Sequence, residues 1–229
     1  MNINTKNYWN SRFSENSENS WKKMNGEQQT QIFAAEIAKR LKLSRNFSGT
    51  LLDFGCALGD AIPIYLSVYP KANIVGMDFS EKAIEVCKKK YGHLATFICG
   101  DINDVPFVDV IIASNVLEHL SDDKFIAKEL LKKCSDLFIA VPFDEKLNDT
   151  NGGWRLADNE HINTYDKMSF NELNAKNEVF LCRGITLTDK LCSFINIEIK
   201  NILRPFFCKP KFYGSSVYRQ ILFHIKNKV

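Results

Sequence analysis

From residue 50 onward the chain alternates short apolar runs with stretches whose apolar residues recur at helical spacing. Thr50–Phe54, Asn73–Met77, Leu94–Cys99, Val108–Ala113 and Leu137–Val141 each hold a few consecutive apolar residues and read as strands. Between them, Ala61–Tyr69 reads as a helix that tolerates Pro63 in its first turn, and Ser80 is placed to cap a helix running to Lys90. Ser121 is placed to cap the next helix, which Asp122 and Asp123 open and Lys132 and Lys133 close, in keeping with its dipole. Short apolar strands separated by helices imply a parallel sheet covered on both faces. After residue 142 the rhythm breaks, and Val179–Cys182 and Gln220–Ile225 read as two further strands. Before residue 50, a polar stretch at Ser14–Ser20 lies between the aromatics Tyr8, Trp9 and Phe13 and Trp21, and Glu27–Leu41 carries Phe33, Ile37 and Leu41 at helical spacing. The expected organisation is one domain of 229 residues: an N-terminal helical cap over residues 1–47 and an α/β body over 48–229.

Composition narrows the setting without changing that picture. Seven scattered cysteines with no C-x-x-C pair point to reduced thiols rather than a disulfide framework or a zinc site, and no metal site is expected. The polar first residues lack the core of a signal peptide, and no apolar run approaches a membrane span, so a cytoplasmic location is expected. The net charge of +3 is uneven: residues 176–229 carry ten Lys/Arg against three Asp/Glu. That basic end, with the mixed apolar and basic segment Phe194–Phe207, is either a solvated face or a contact for an anionic partner or membrane surface.

Candidate chemistry gathers where the strands end. The first strand runs into Asp53-Phe54-Gly55-Cys56-Ala57-Leu58-Gly59-Asp60, and a tight strand-to-helix turn that lets backbone approach a ligand needs glycine. Asp78 and Phe79 end the second strand, where a carboxylate can accept both hydroxyls of a ribose. Asp101 and Ile102 follow the third, where an acid can meet an adenine amino group and an aliphatic chain can pack on the ring. Asn115, Val116, Glu118 and His119 follow the fourth. Polar groups at the carboxyl ends of four strands in register point to a ligand site more than any one of them would. A dinucleotide fingerprint fits poorly, because Asp60 stands where its last glycine would fall and would repel a pyrophosphate.

Asp53-x-Gly55-x-Ala57-x-Gly59 resembles the first motif of class I S-adenosylmethionine-dependent methyltransferases, and Asp78, Gly100-Asp101 and Asn115–Leu120 resemble the motifs that follow it. The resemblance covers roughly residues 50–142 and implies a Rossmann-like, doubly wound, seven-stranded sheet, mostly parallel, with an antiparallel last strand inserted beside the fifth. It implies S-adenosylmethionine as cofactor, with the first motif around the methionine portion, Asp78 on ribose and Asp101 on adenine. Ala57 departs from the glycine most common at its position and should crowd the loop slightly. Asp53 either fixes the loop through backbone amides or meets the ligand, Glu118 either caps or contacts it, and His119 is expected to pack beneath it.

The acceptor is harder to read. Transfer to a hydroxyl or amine requires alignment, exclusion of water and a base. In the segment after the fifth strand, the His161-x-x-x-Tyr165 spacing resembles one found in many small-molecule methyltransferases, which makes His161 the candidate base or acceptor ligand and Tyr165 a pocket-shaping residue. Trp21, Trp154 and Tyr8 are candidates for a lid, or for pinning the terminal helix. A looser resemblance of the whole chain, through Tyr8, Trp9 and Arg12 and its basic end, to bacterial surface-polysaccharide methyltransferases implies a sugar, or a nucleotide- or lipid-linked sugar, as acceptor. Nucleic acid is not expected, because Asn115-Val116-Leu117-Glu118 replaces the stacking motif of base methyltransferases. A nucleic-acid or protein methyltransferase, and a non-catalytic binding protein of the same fold, remain the alternatives.

Overall fold

A computed structural model of the chain describes residues 3–14, 20–21, 26–145, 160–183 and 217–227. The cap region begins with α1 (Lys6–Arg12), whose first turn is closed by Thr5 accepting from the Tyr8 amide, and α2 (Gly26–Ala38) follows. The body then runs β1 (Thr50–Phe54), α3 (Ile62–Val68), β2 (Asn73–Asp78), α4 (Glu81–Tyr91), β3 (Thr96–Cys99), β4 (Val108–Ser114), α5 (Asp123–Leu131) and β5 (Cys134–Pro142). β6 (Lys176–Arg183) and β7 (Val217–Lys226) complete it.

Among the described residues these seven strands form one sheet in the order β3-β2-β1-β4-β5-β7-β6. β1 to β5 pair in parallel, and β7 lies antiparallel between β5 and β6, so six strands share one direction and the last is reversed. This is the expected Rossmann-like architecture. The pleat sorts the core into two layers. Leu51, Ile74, Ile112 and Phe138 face α2, α3 and α4, while their neighbours Leu52, Ile111, Leu137 and Ile139 face α5 and Phe170. Because both faces are covered, the strands are continuous apolar runs rather than alternating ones.

Three local expectations change. Ser121 does not cap α5: the helix starts at Asp123 with Asp122 at its N-cap and no capping side chain, because Ser121 turns to the Asp122 carboxylate instead. The third strand starts at Thr96, since Leu94 is still in the turn, where its amide donates to the Tyr91 carbonyl. The helix expected to reach Leu41 ends at Ala38. Strand order reverses between β1 and β4, and in open α/β sheets that switch point opens the ligand crevice beyond the carboxyl ends of the strands.

Candidate active site

At that switch point lies a cavity of about 420 Å³, within the usual range for small-molecule sites. Its floor is the loop after β1. Gly55 takes φ +76° there, and a Cβ on it would stand 2.3 Å from Cγ2 of Val116, so only glycine lets this backbone lie against the β4 loop. The amides of Gly55 and Cys56 both donate to the Met77 carbonyl, at 2.8 and 2.9 Å, and the Ala57 amide donates to the Asp78 carboxylate at 3.0 Å. The other Asp78 oxygen accepts from the Ser80 amide at 2.9 Å. Asp78 therefore fixes the loop, one of the two duties left open for Asp53, and it lines the cavity as it does so.

Ala57 adopts φ +47°. A left-handed non-glycine residue costs about 1–2 kcal/mol, against about 0.4–1 kcal/mol of extra chain entropy that glycine loses on folding. The cost of alanine is thus in its backbone more than in crowding by its methyl group. Ala57→Gly is expected to raise the melting temperature of the ligand-free protein by roughly 1–4 °C, checked by thermal denaturation.

The remaining expected cofactor residues divide cleanly. Asp53, Phe79, Asp101, Ile102, Asn115 and Val116 line this cavity with Cys56 and Ala57. Asp101 also caps a short turn through the Asn103 amide, at 2.8 Å. Asn115 takes φ +54° and accepts from the Gln220 side chain at 3.1 Å, tying the β4 loop to β7. Gly59 does not reach the cavity: at φ +77° it turns the chain into α3, packed against Cys87 and Tyr91. Asp60, whose carboxylate argued against a dinucleotide, is buried and accepts from Tyr91 at 2.9 Å and Lys90 at 2.7 Å.

The far end of the cavity is built by segment 160–165. Asn163 donates from its side chain to the carbonyls of Leu117 and Leu120, at 3.0 and 2.6 Å, and the Ile162 amide donates to the Glu118 carbonyl at 2.8 Å. The Asp144 amide donates to the Tyr165 carbonyl at 2.9 Å. Laced on both sides, the segment brings His161 beside His119, ring centroids 4.9 Å apart. His161 Nδ1 lies 2.5 Å from Oε2 of Glu145. His119 Nδ1 lies 3.1 Å from the Glu160 carbonyl, and its ring meets the edge of Trp9 at 5.1 Å. α1 roofs this end: Arg12 pairs with Glu160 at 3.4 Å, the Tyr8 hydroxyl donates to the same carboxylate, and Trp9 and Phe13 line the wall.

Tyr165 does not shape the pocket. Its ring is buried against Phe170 and its hydroxyl donates to Asp123 at 3.0 Å. Trp154 and Phe194–Phe207 lie outside the described residues, while Trp21 lines the cavity and Tyr8 pins α1. Glu145 and Glu160 had no sequence signal as site residues, and Arg12 carried only the loose whole-chain resemblance, which gave it no place at the site.

Burial dominates the electrostatics. It pushes the Asp53 carboxyl up to about 7, helped by the charge of Asp78, and the Glu118 carboxyl up to about 7. It pushes Asp78 to about 6 against the pull of its backbone donors, and it holds His119 down to about 4. A carboxyl whose folded pKa is raised contributes stability that is complete below its unfolded value near 4 and lost as the pH rises through 6 to 7. His119 acts in the opposite sense, but the three acids outweigh one imidazole. The ligand-free protein is therefore expected to melt roughly 5 °C or more higher at pH 5.5 than at pH 8, checked by calorimetry in matched ionic strength.

Comparisons with known proteins bear on the fold and on part of the chain. Residues 51–137 match the family model described as a methyltransferase domain. The fold, a seven-stranded sheet with its reversed strand beside β5, matches the Rossmann-like fold of solved methyltransferases. Among curated proteins, the chain is 31% identical over 98 residues to a malonyl-[acyl-carrier protein] O-methyltransferase of Bacillus anthracis, covering 41% of this chain and 36% of the relative. It is 28% identical over 125 residues to that of Priestia megaterium, covering 49% and 46%. The chain thus spans between about a third and a half of the length of these curated relatives. Among solved structures it superposes on the plantazolicin methyltransferase BpumL in complex with SAH, with TM-score 0.60 and 16% identity over 98% of this chain and 96% of that one. The magnesium protoporphyrin IX methyltransferase ChlM from Synechocystis, with bound SAM, superposes with TM-score 0.55 and 16% identity over 95% and 89%.

Proposed function

We propose that this chain transfers a methyl group from S-adenosylmethionine to an oxygen or nitrogen of a small acceptor. The observation that carries the reading is the Gly55–Ala57 loop, cradled by Met77 and Asp78 with no room for a side chain at Gly55, opening into one cavity with Asp53, Asp101 and the Asn115–His119 loop. The residues fit the cofactor: Asp78 faces a ribose position, Ile102 offers an apolar surface for a purine, and Asp53 is a buried acid beside the loop. When bound, S-adenosylmethionine supplies an electrophilic methyl on a sulfonium sulfur. The chain's own work is to orient the acceptor, exclude water under the α1 roof, and take up a proton. His161 is the group placed to do so. Its Nδ1 donates to the Glu145 carboxylate, which fixes the tautomer and leaves Nε2 as the basic nitrogen.

A hydroxyl of a sugar, or of its nucleotide- or lipid-linked form, is the acceptor we favour. The walls around His161 are polar and aromatic, with Trp9, Arg12, Glu145 and Glu160, a lining suited to a polyol. The matched family segment ends at residue 137, before the acceptor-side residues Glu145, Glu160 and His161, so the carboxylate acceptors named for the curated relatives carry less weight here. Tritiated-methyl S-adenosylmethionine, offered with nucleotide sugars, lipid-linked sugars and malonyl thioesters, tests the choice. A base-stable methyl ether on a sugar is the expected product; a base-labile methyl ester would replace the sugar reading with a carboxylate one.

A further inference from the structure

Glu118 is fully buried, and among the described residues neither of its carboxylate oxygens has a hydrogen-bond partner. A bare carboxylate at such a position is costly unless it is paired, protonated or coordinated. Around it stand the two imidazoles of the site. One ligand-type atom from each of Glu118, His119 and His161 lies within 4.8 Å of the others, at the acceptor end of the cavity. From this geometry we propose that Glu118, His119 and His161 bind a divalent transition-metal ion.

The outer contacts support a metal rather than a chance cluster. A backbone carbonyl and a carboxylate can only accept, so Nδ1 of His119 carries the proton donated to the Glu160 carbonyl, and Nδ1 of His161 the one donated to Glu145. In both rings the lone pair is then on Nε2. Metal-ligating histidines hold their second nitrogen on a carbonyl or carboxylate in this manner, which sets the tautomer and raises ligand basicity. The segments are also rigidly joined. Ile162 and Asn163 donate to the Glu118 carbonyl, and the Asn163 side chain spans Leu117 and Leu120, so the ligands of the β4 loop and of segment 160–165 keep their spacing. Two imidazoles and one carboxylate suit zinc, manganese, cobalt or ferrous ions and leave coordination positions open. All three side chains line the cavity, so an ion held there could take a hydroxyl or carboxylate oxygen of the acceptor. The inference rests on the methyl-transfer reading only for that use, and with an ion bound His161 serves as its ligand in place of a direct base. The absence of a C-x-x-C or His-rich spacing gave no hint, because the ligands lie in segments more than 40 residues apart.

The test uses the full-length chain, stripped with chelator and titrated with Mn²⁺ followed by electron paramagnetic resonance and with Co²⁺ followed by visible absorption, the first ion being indifferent to thiols. One ion per chain with Kd in the micromolar range or tighter is expected, with nitrogen ligation and a raised melting temperature. Glu118→Gln, which keeps the side-chain shape, and His161→Asn should each weaken binding at least ~10-fold, and Glu145→Gln, which touches no ion, by ~10–100-fold. Circular dichroism of each variant separates lost ligation from lost folding, and any one folded variant decides the matter. No stoichiometric binding at millimolar ion, or equal binding in Glu118→Gln and His161→Asn, overturns the site. S-adenosylhomocysteine titrated into the same stripped sample separates the two claims: its binding with no ion bound leaves the methyltransferase reading standing and removes only the metal.

Discussion

Replacing His161 with alanine is expected to lower turnover by ~10²–10⁴-fold, the usual contribution of a positioned general base, while S-adenosylhomocysteine affinity stays within about two-fold. The separation follows from where the residue sits. His161 is held at the acceptor end by Glu145, 2.5 Å away, and by the hydrogen bonds of Ile162 and Asn163 to the β4 loop. The elements that would hold the nucleoside, at Gly55–Ala57, Asp78 and Asp101, belong to other strands. Loss of the imidazole therefore leaves their geometry in place. Glu145→Gln should show a smaller loss with the pH profile displaced, because the amide still orients Nδ1 but no longer balances a charge on the ring. Single-turnover kinetics with saturating cofactor checks both variants, and unchanged turnover in His161→Ala would remove it from the mechanism.

Asp78→Ala is expected to weaken S-adenosylhomocysteine binding at least ~100-fold. The side chain accepts from the Ala57 and Ser80 amides at 3.0 and 2.9 Å, and hydrogen bonds to a charged group contribute about 1.5–3 kcal/mol each. Removing it leaves the buried Ser80 amide and the half-buried Ala57 amide without acceptors and frees a loop whose Ala57 is already in a left-handed conformation, in addition to losing the ribose contact. Asp78→Asn keeps one acceptor oxygen and should fall between wild type and alanine. Calorimetric titration of both variants, with their melting temperatures, distinguishes a loosened loop, which lowers stability and affinity together, from loss of the ribose contact alone.

Much of the fold was legible because its signals are local. Each parallel strand is a short apolar run, since both faces of the sheet are covered, and the turns after β1, β2 and β3 are marked by glycine or by an acid. Asp53, Asp78 and Asp101 could thus be assigned to one site from strand ends alone. What escaped depends on side-chain direction or on contacts between distant segments. The spacing of Gly59 fits the first motif, yet its backbone faces α4 rather than the cavity. The spacing of His161 and Tyr165 suggested a shared pocket, yet the tyrosine faces Asp123 and Phe170 in the core. Glu145 and Glu160 gain meaning only when segment 160–165 is folded against β4 and α1, a contact no pattern along the chain announces. The choice left open for Asp53 was settled by contact for a similar reason: which carboxylate meets the Ala57 amide is decided by the pairing of β1 with β2, and it is Asp78.

The most direct test of the central claim is calorimetric titration of the wild-type chain with S-adenosylhomocysteine, with NAD as the competing ligand. One site per chain with micromolar affinity for S-adenosylhomocysteine, and no measurable heat with NAD, is the result expected. No binding of S-adenosylhomocysteine, or tighter binding of NAD, would contradict it.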